Sequence, residues 1–152
     1  MSASVEHADD VCALPLVRRM AALLDRDPAA LKDGDPLPRG WHVALFNPPT
    51  PQSQLRADGA AHLGVTLPDI GLPRLMMGGR KMDFMGDIPI GARLNRASHA
   101  GEVTLKEGKS GRFALVDVEH RITAEGNETP VLVETNSCLL YTSPSPRDQR
   151  GS

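Results

Sequence analysis

Residues 111–136 read GRFALVDVEHRITAEGNETPVLVETN. Ala114, Val116, Val118, His120 and Ile122 fall on one side of an extended chain. Asp117, Glu119, Arg121 and Thr123 fall on the other. Such strict alternation marks a strand with one buried and one solvated face. AEGNET then supplies a tight turn, and PVLVET opens a second strand with Val131 and Val133 on one side. One strand, a hairpin and a second strand define an antiparallel unit.

Upstream, the same grammar continues. RLMMGGRKMDF (74–84) is a strand interrupted at Gly78-Gly79, which predicts a bulge or a close backbone approach. GDIPIG is a turn. ARLNRASHAGEVTLKEG reads as one long strand closed by a KSG hairpin tip. At the other end of the chain, Leu14, Val17, Ala21 and Leu24 recur at helical spacing, with Leu16, Met20 and Leu23 widening the stripe. Asp9 and Asp10 are suited to the start of that helix, Pro15 to its first turn and Pro28 to its end. WHVALF (41–46), flanked by prolines, is strand-like. Residues 47–73 form a long connection rich in Pro and Gly. A helix followed by an antiparallel meander is an α+β layout.

Bulk properties narrow the function. The 152 residues suffice for one domain with a modest core. A net charge of −2 lacks the basic stripe of a nucleic-acid binder, so no nucleic-acid partner is expected. No apolar run approaches the ~20 residues that span a bilayer, so no membrane partner is expected either. MSASVEHADD lacks a signal peptide's basic-then-apolar order. With Cys12 standing apart from the C-terminal stretch, a reducing cytoplasm is the simplest compartment.

The five histidines show no metal-ligand spacing, and with cysteine so scarce no metal site is expected. His120 stands out because its strand face is otherwise apolar; a satisfied core imidazole is the ordinary reading there. Gly78-Gly79 with Arg80 does not have the spacing of a phosphate loop, though bare backbone beside a cation suits a phosphate or thioester. Lys109 and Ser110 at the hairpin tip offer a weaker version of the same chemistry. Asp83, Asp87 and Asp117 have no matched partner, so no catalytic dyad can be assembled.

Residues 138–148, CLLYTSPSPRD, differ in composition from everything before them and contain the single tyrosine, Tyr141. They resemble the translation of a transposase-type sequencing adapter. Residues 137–152 are therefore expected to be a non-native, disordered tail, and 1–136 an incomplete domain cut inside its last strand. An open sheet edge left there would favour association.

Taken together, GDPLPRGWHVALFNPPTPQSQLRADG, LPRLMMGGRKMDF, GDIPIGARL and EVTLKEGKSGRFALVDVEHRI resemble the N-terminal half of the MaoC-like, fatty-acid-synthase-like dehydratases. This group includes mesaconyl-CoA and itaconyl-CoA hydratases and 3-hydroxyacyl thioester dehydratases. The likeness covers residues 8–136. It implies a hot-dog fold, an antiparallel sheet wrapped around one main helix, as the first half of a double hot-dog. It implies hydro-lyase chemistry on an acyl-CoA or acyl-carrier thioester, with no cofactor beyond the pantetheine that the substrate carries. It also implies two partners, a C-terminal hot-dog half and a second copy in a homodimer. The family's catalytic aspartate and histidine lie in a D-x-N-P-[IL]-H stretch of the second half. Nothing here matches that stretch, so no catalytic residue is assigned and the chain alone is expected to be inactive. Trp41, Gly79 and Arg80 are the substrate-binding candidates. The competing reading is a non-catalytic hot-dog that binds acyl thioesters or serves assembly. A hot-dog thioesterase fits less well, because its helix should present a carboxylate and PLVRRMAALL offers only Arg18 and Arg19 as polar groups.

Overall fold

The computed structural model describes residues 4–55 and 64–142. Six strands and one α-helix appear in the order β1 (Glu6–Val11), α1 (Leu14–Leu23), β2 (Arg74–Phe84), β3 (Arg93–Ala100), β4 (Thr104–Gly108), β5 (Gly111–Ala124) and β6 (Leu132–Tyr141). They form one antiparallel sheet ordered β1-β3-β5-β6-β2, with β4 also paired to β5. The α+β expectation is met.

Several local expectations change. Asp9 and Asp10 belong to β1, where they pair with Asn95 and Leu94 of β3. That pairing is long-range, so nothing local in the sequence discloses it. The helix does carry Pro15 in its first turn but stops at Leu23, and only Val17 and Ala21 of its stripe are buried. Leu23 is 85% exposed. Pro28 instead opens a 3-10 turn, with the Asp27 side chain accepting from the Ala29 amide. WHVALF is not a strand. Gly40 takes a left-handed φ of 95°, and Trp41–Ala44 coil into a 3-10 turn that pairs with no strand among the described residues.

The long strand expected over 92–108 is two strands. Gly101, whose amide donates to the Asp117 carbonyl, separates β3 from β4. Both pair with β5, which at 14 residues is long enough to serve each in turn. The bulge expected in β2 is present: the register with β6 slips between Met77 and Gly79.

The break expected at Ser137 is absent. β6 continues to Tyr141, paired with β5 on one side and β2 on the other. Its inward face is Leu132, Glu134, Asn136, Cys138 and Leu140 rather than the Val131 and Val133 side. Apolar residues at 138 and 140 extend that alternation, so the strand has no physical reason to end at 136. Residues 143–152 lie outside the described part.

The inward face of the sheet carries two apolar clusters. One gathers Leu94, Ile122, Leu132, Cys12 and Val17 beneath α1. The other gathers Ala100, Val116, Val118, Cys138 and Leu140 with Val65. A polar band lies between them on the same strands.

Candidate functional site

The band follows from strand register. Ser98 of β3 faces His120 of β5, and His120 faces Glu134 of β6. Two residues along β6, Asn136 faces Arg80 of β2. Side chains that alternate onto the buried face in this way must find partners there, because an unpaired polar group in the interior costs roughly 1–3 kcal/mol. Here nearly all do. Ser98 Oγ lies 2.7 Å from His120 Nδ1. His42 Nε2, brought in by the 3-10 turn, donates to Glu134 Oε1 at 3.1 Å. Arg80 Nε donates to Asn136 Oδ1 at 3.1 Å and lies 3.4 Å from Glu134 Oε1. Asn136 Nδ2 reaches Glu134 Oε2 at 3.5 Å.

Glu134 is the hub. Burial by itself would raise its carboxyl pKa, but the hydrogen bond from His42 and the charge of Arg80 outweigh burial and hold it below the usual range. The His120 pKa also falls, which for a base favours the neutral form. Burial first, then the charge of Arg96, lowers its pKa to about 4, so the ring is neutral at pH 7. An imidazole without charge, bonded to a hydroxyl, is the satisfied core histidine expected from the sequence.

Of the sequence-derived binding candidates, Arg80 contacts this band directly. Gly79 and Arg80 are adjacent on edge strand β2, directly after the bulge. Trp41 is half-buried against the cluster beneath α1, and the Arg26 guanidinium lies 5.7 Å from its ring centre. Trp41 itself joins that cluster, whereas its neighbour His42 and Arg80 meet on the same Glu134 oxygen.

Neither Gly78 nor Gly79 takes a positive φ. A Cβ on Gly79 would meet nothing within 4 Å, and one on Gly78 only the Ser137 carbonyl at 3.6 Å. Internal packing therefore does not require glycine at either position. Beside them the Arg80 side chain is 33% exposed, and it connects the band to the surface. The two contacts that look like acid–base or nucleophile pairs, His42–Glu134 and Ser98–His120, are buried: Ser98 is 0% and His42 4% exposed. As built, they brace the core.

Glu134, Asn136, His42 and Ser98 were not among the candidates read from the sequence. A signal existed for three of them, since Ser98, Glu134 and Asn136 occupy inward positions in alternating strands where apolar residues are the rule. His42 had none, because its neighbours suggested a strand. Among the described residues, no group of three or more His, Cys, Asp or Glu side chains is arranged to hold a metal ion. No helix among them is long and apolar enough to cross a membrane.

Comparison with known proteins fits this architecture. Solved structures superpose over most of the chain at low identity. The ChsH1-ChsH2 complex from Mycobacterium tuberculosis gives a TM-score of 0.58 at 13% identity, covering 94% of this chain and 86% of that one. A MaoC-like dehydratase from Rhodospirillum rubrum gives 0.56 at 15%, covering 95% and 94%. The truncated HadBC (3R-hydroxyacyl-ACP dehydratase) complex from Mycobacterium tuberculosis gives 0.58 at 14%, covering 90% and 95%. These establish the hot-dog fold. In sequence, mesaconyl-C(4)-CoA hydratase of Chloroflexus aurantiacus is 32% identical over 136 residues, which cover 90% of this chain and 47% of that protein. The chain thus spans about half the length of that relative. Residues 32–132 match the family model for the FAS1-like, dehydratase domain region. With Trp41, His42, Gly79, Arg80 and His120 all inside that match, the chain belongs to the FAS1-like dehydratase family.

Proposed function

We propose that the chain is the N-terminal, substrate-binding half of an enoyl-thioester hydratase or 3-hydroxyacyl-thioester dehydratase acting in the cytoplasm on acyl-CoA or an acyl-carrier thioester. The observation that carries this reading is the stretch of bare backbone at Gly78-Gly79 beside the part-exposed Arg80. Glycines that packing does not demand, at a bulge on an edge strand, leave room for a ligand to lie against the main chain. Arg80, held at its inner end by Asn136 and Glu134, offers its outer guanidinium nitrogens to a phosphate or carbonyl oxygen. Trp41, next to His42 in the chain and half-buried in the neighbouring apolar cluster, is the apolar candidate.

Hydration of an enoyl thioester needs a carboxylate and an imidazole sharing one water, with backbone N–H groups polarising the thioester carbonyl. The His42–Glu134 pair has the right chemistry but is closed to solvent, so the reacting pair comes from a second hot-dog half. A homodimer of the complete enzyme belongs to the same proposal. The burial of both imidazole contacts also suits a purely binding or assembly role, and one experiment separates these readings from a self-sufficient enzyme. Titrate a crotonyl-CoA-type thioester into the chain by calorimetry and follow the conjugated thioester absorbance in parallel. Binding is expected without turnover above background, and Arg80→Ala is expected to weaken it about tenfold, the loss of one charge-assisted contact. Turnover by the chain alone, or an Arg80→Ala variant that binds as well as the parent, would overturn the assignment.

A further inference from the structure

We propose that Arg96 is a movable plug at the inner end of the cleft between β1 and the Phe46–Pro49 segment, and that its displacement admits water and small polar solutes to the buried Ser98–His120–Glu134 band. The inference does not depend on the acyl-thioester reading.

The cleft measures about 450 Å³ and is walled by residues 6–10 of β1, with their acidic side chains, by residues 46–49, and by Gly64 and Arg96. Arg96 and Ser98 stand two residues apart on β3, so both project to the same face of the sheet. Arg96 therefore has the cleft on one side and the band on the other. Its charge is felt by both His120 and Glu134.

The guanidinium is held by packing more than by hydrogen bonds. It lies over the Phe46 ring, 4.9 Å from the ring centre. The backbone of Gly64 (φ +85°) also lies against it, and any Cβ there would run into Arg96 Nη2. Arg96 Nε is buried with no hydrogen-bond partner. Burial pulls the guanidinium pKa down, and Glu134 restores only part of that loss. A charged group that has given up hydration without full compensation gains it back by swinging outward.

Phe46 adds a second stored cost. Its φ of +61° is strained for a bulky side chain. It is fixed there by its amide, which donates to Asp10 Oδ2 at 2.7 Å. Across the cleft, the Thr66 amide donates to Glu6 Oε1 at 2.8 Å. Glu6 and Asp10 thus clamp the two walls, while the side chain between them lacks a hydrogen-bonded seat for Nε. An unpartnered donor and a strained residue in direct contact form an element with two available arrangements.

The test reads the His120 imidazole by nitrogen NMR across pH. The charges acting on it are Arg96, Arg80 and His99, which oppose its protonation, and Glu134, which favours it. Arg96→Lys keeps the charge but loses the flat stacking surface, and Gly64→Ala pushes the guanidinium out. Each is expected to raise the His120 midpoint from about 4 by at least one unit as water enters, with the strand signals retained. A folded Arg96→Lys protein whose midpoint equals that of the parent would show that Arg96 acts through charge alone, and the plug would be abandoned. In the unmodified protein, exchange of the Arg96 Nε–H with solvent is expected to be insensitive to low urea. Exchange that tracks urea, and so requires global unfolding, would overturn the proposal without any variant.

Discussion

Folding stability should fall on mild acidification because of one side chain, His120. Its folded-state pKa is about 4, against 6.5 for an exposed imidazole. Between those values the unfolded chain binds a proton that the folded chain refuses. Stability therefore rises with pH across this window. The contribution is complete above pH 6.5, is lost progressively as pH drops towards 4, and changes no further below that. The full difference corresponds to about 3 kcal/mol at 1.36 kcal/mol per unit. Roughly 2 kcal/mol of it has gone by pH 5, where the unfolded imidazole is almost fully charged and the folded one still mostly neutral. Glu134 does not confuse this range. Its carboxyl, held below the ordinary 4.5, loses its own stabilising share only at more acid pH. The assay is urea denaturation at pH 7.5 and 5.0 for the parent and His120→Gln, since glutamine can still meet Ser98 but carries no titrating proton. The parent should lose about 2 kcal/mol more than the variant between the two pH values. The remaining histidines are common to both proteins and cancel. Equal losses would mean that the His120 site is wet or already charged, and the account of the polar band would fail.

Two further predictions concern the core. Glu134→Ala removes the shared acceptor of His42, Arg80 and Asn136, and leaves a buried imidazole N–H unpaired. It should destabilise by about 2–4 kcal/mol in chemical denaturation, toward the low side because Arg80 can turn to solvent. A loss below about 0.5 kcal/mol would count against Glu134 as the hub. Leu132→Ala, at a position 0% exposed, should cost about 2–5 kcal/mol, whereas Leu23→Ala, at 85% exposure, should change stability by less than about 0.5 kcal/mol in the same melt. Similar losses at both sites would contradict the packing of α1.

The sequence alone determined the α+β class, the bulge at Gly78-Gly79, the hairpins around β5 and the buried character of His120. Each rests on a period of two, on glycine placement or on turn chemistry, all of which act over a few residues. The family was legible too, because its motifs are strings of neighbouring residues. What only tertiary structure decided was pairing. Asp9 and Asp10 became a strand because β3 lies beside them, whereas Trp41–Ala44 coiled with no strand partner among the described residues. β6 ran past Asn136 because β5 and β2 flank it on both sides. The polar band has the same origin. Ser98, His120, Glu134, Asn136 and Arg80 lie on four strands, and nothing in their spacing along the chain announces that register will align them. His42 joins them from 92 residues away, across a turn whose curvature depends on Gly40. Local interactions set which face each residue takes, and hydrogen-bonded register between distant strands set which residues meet.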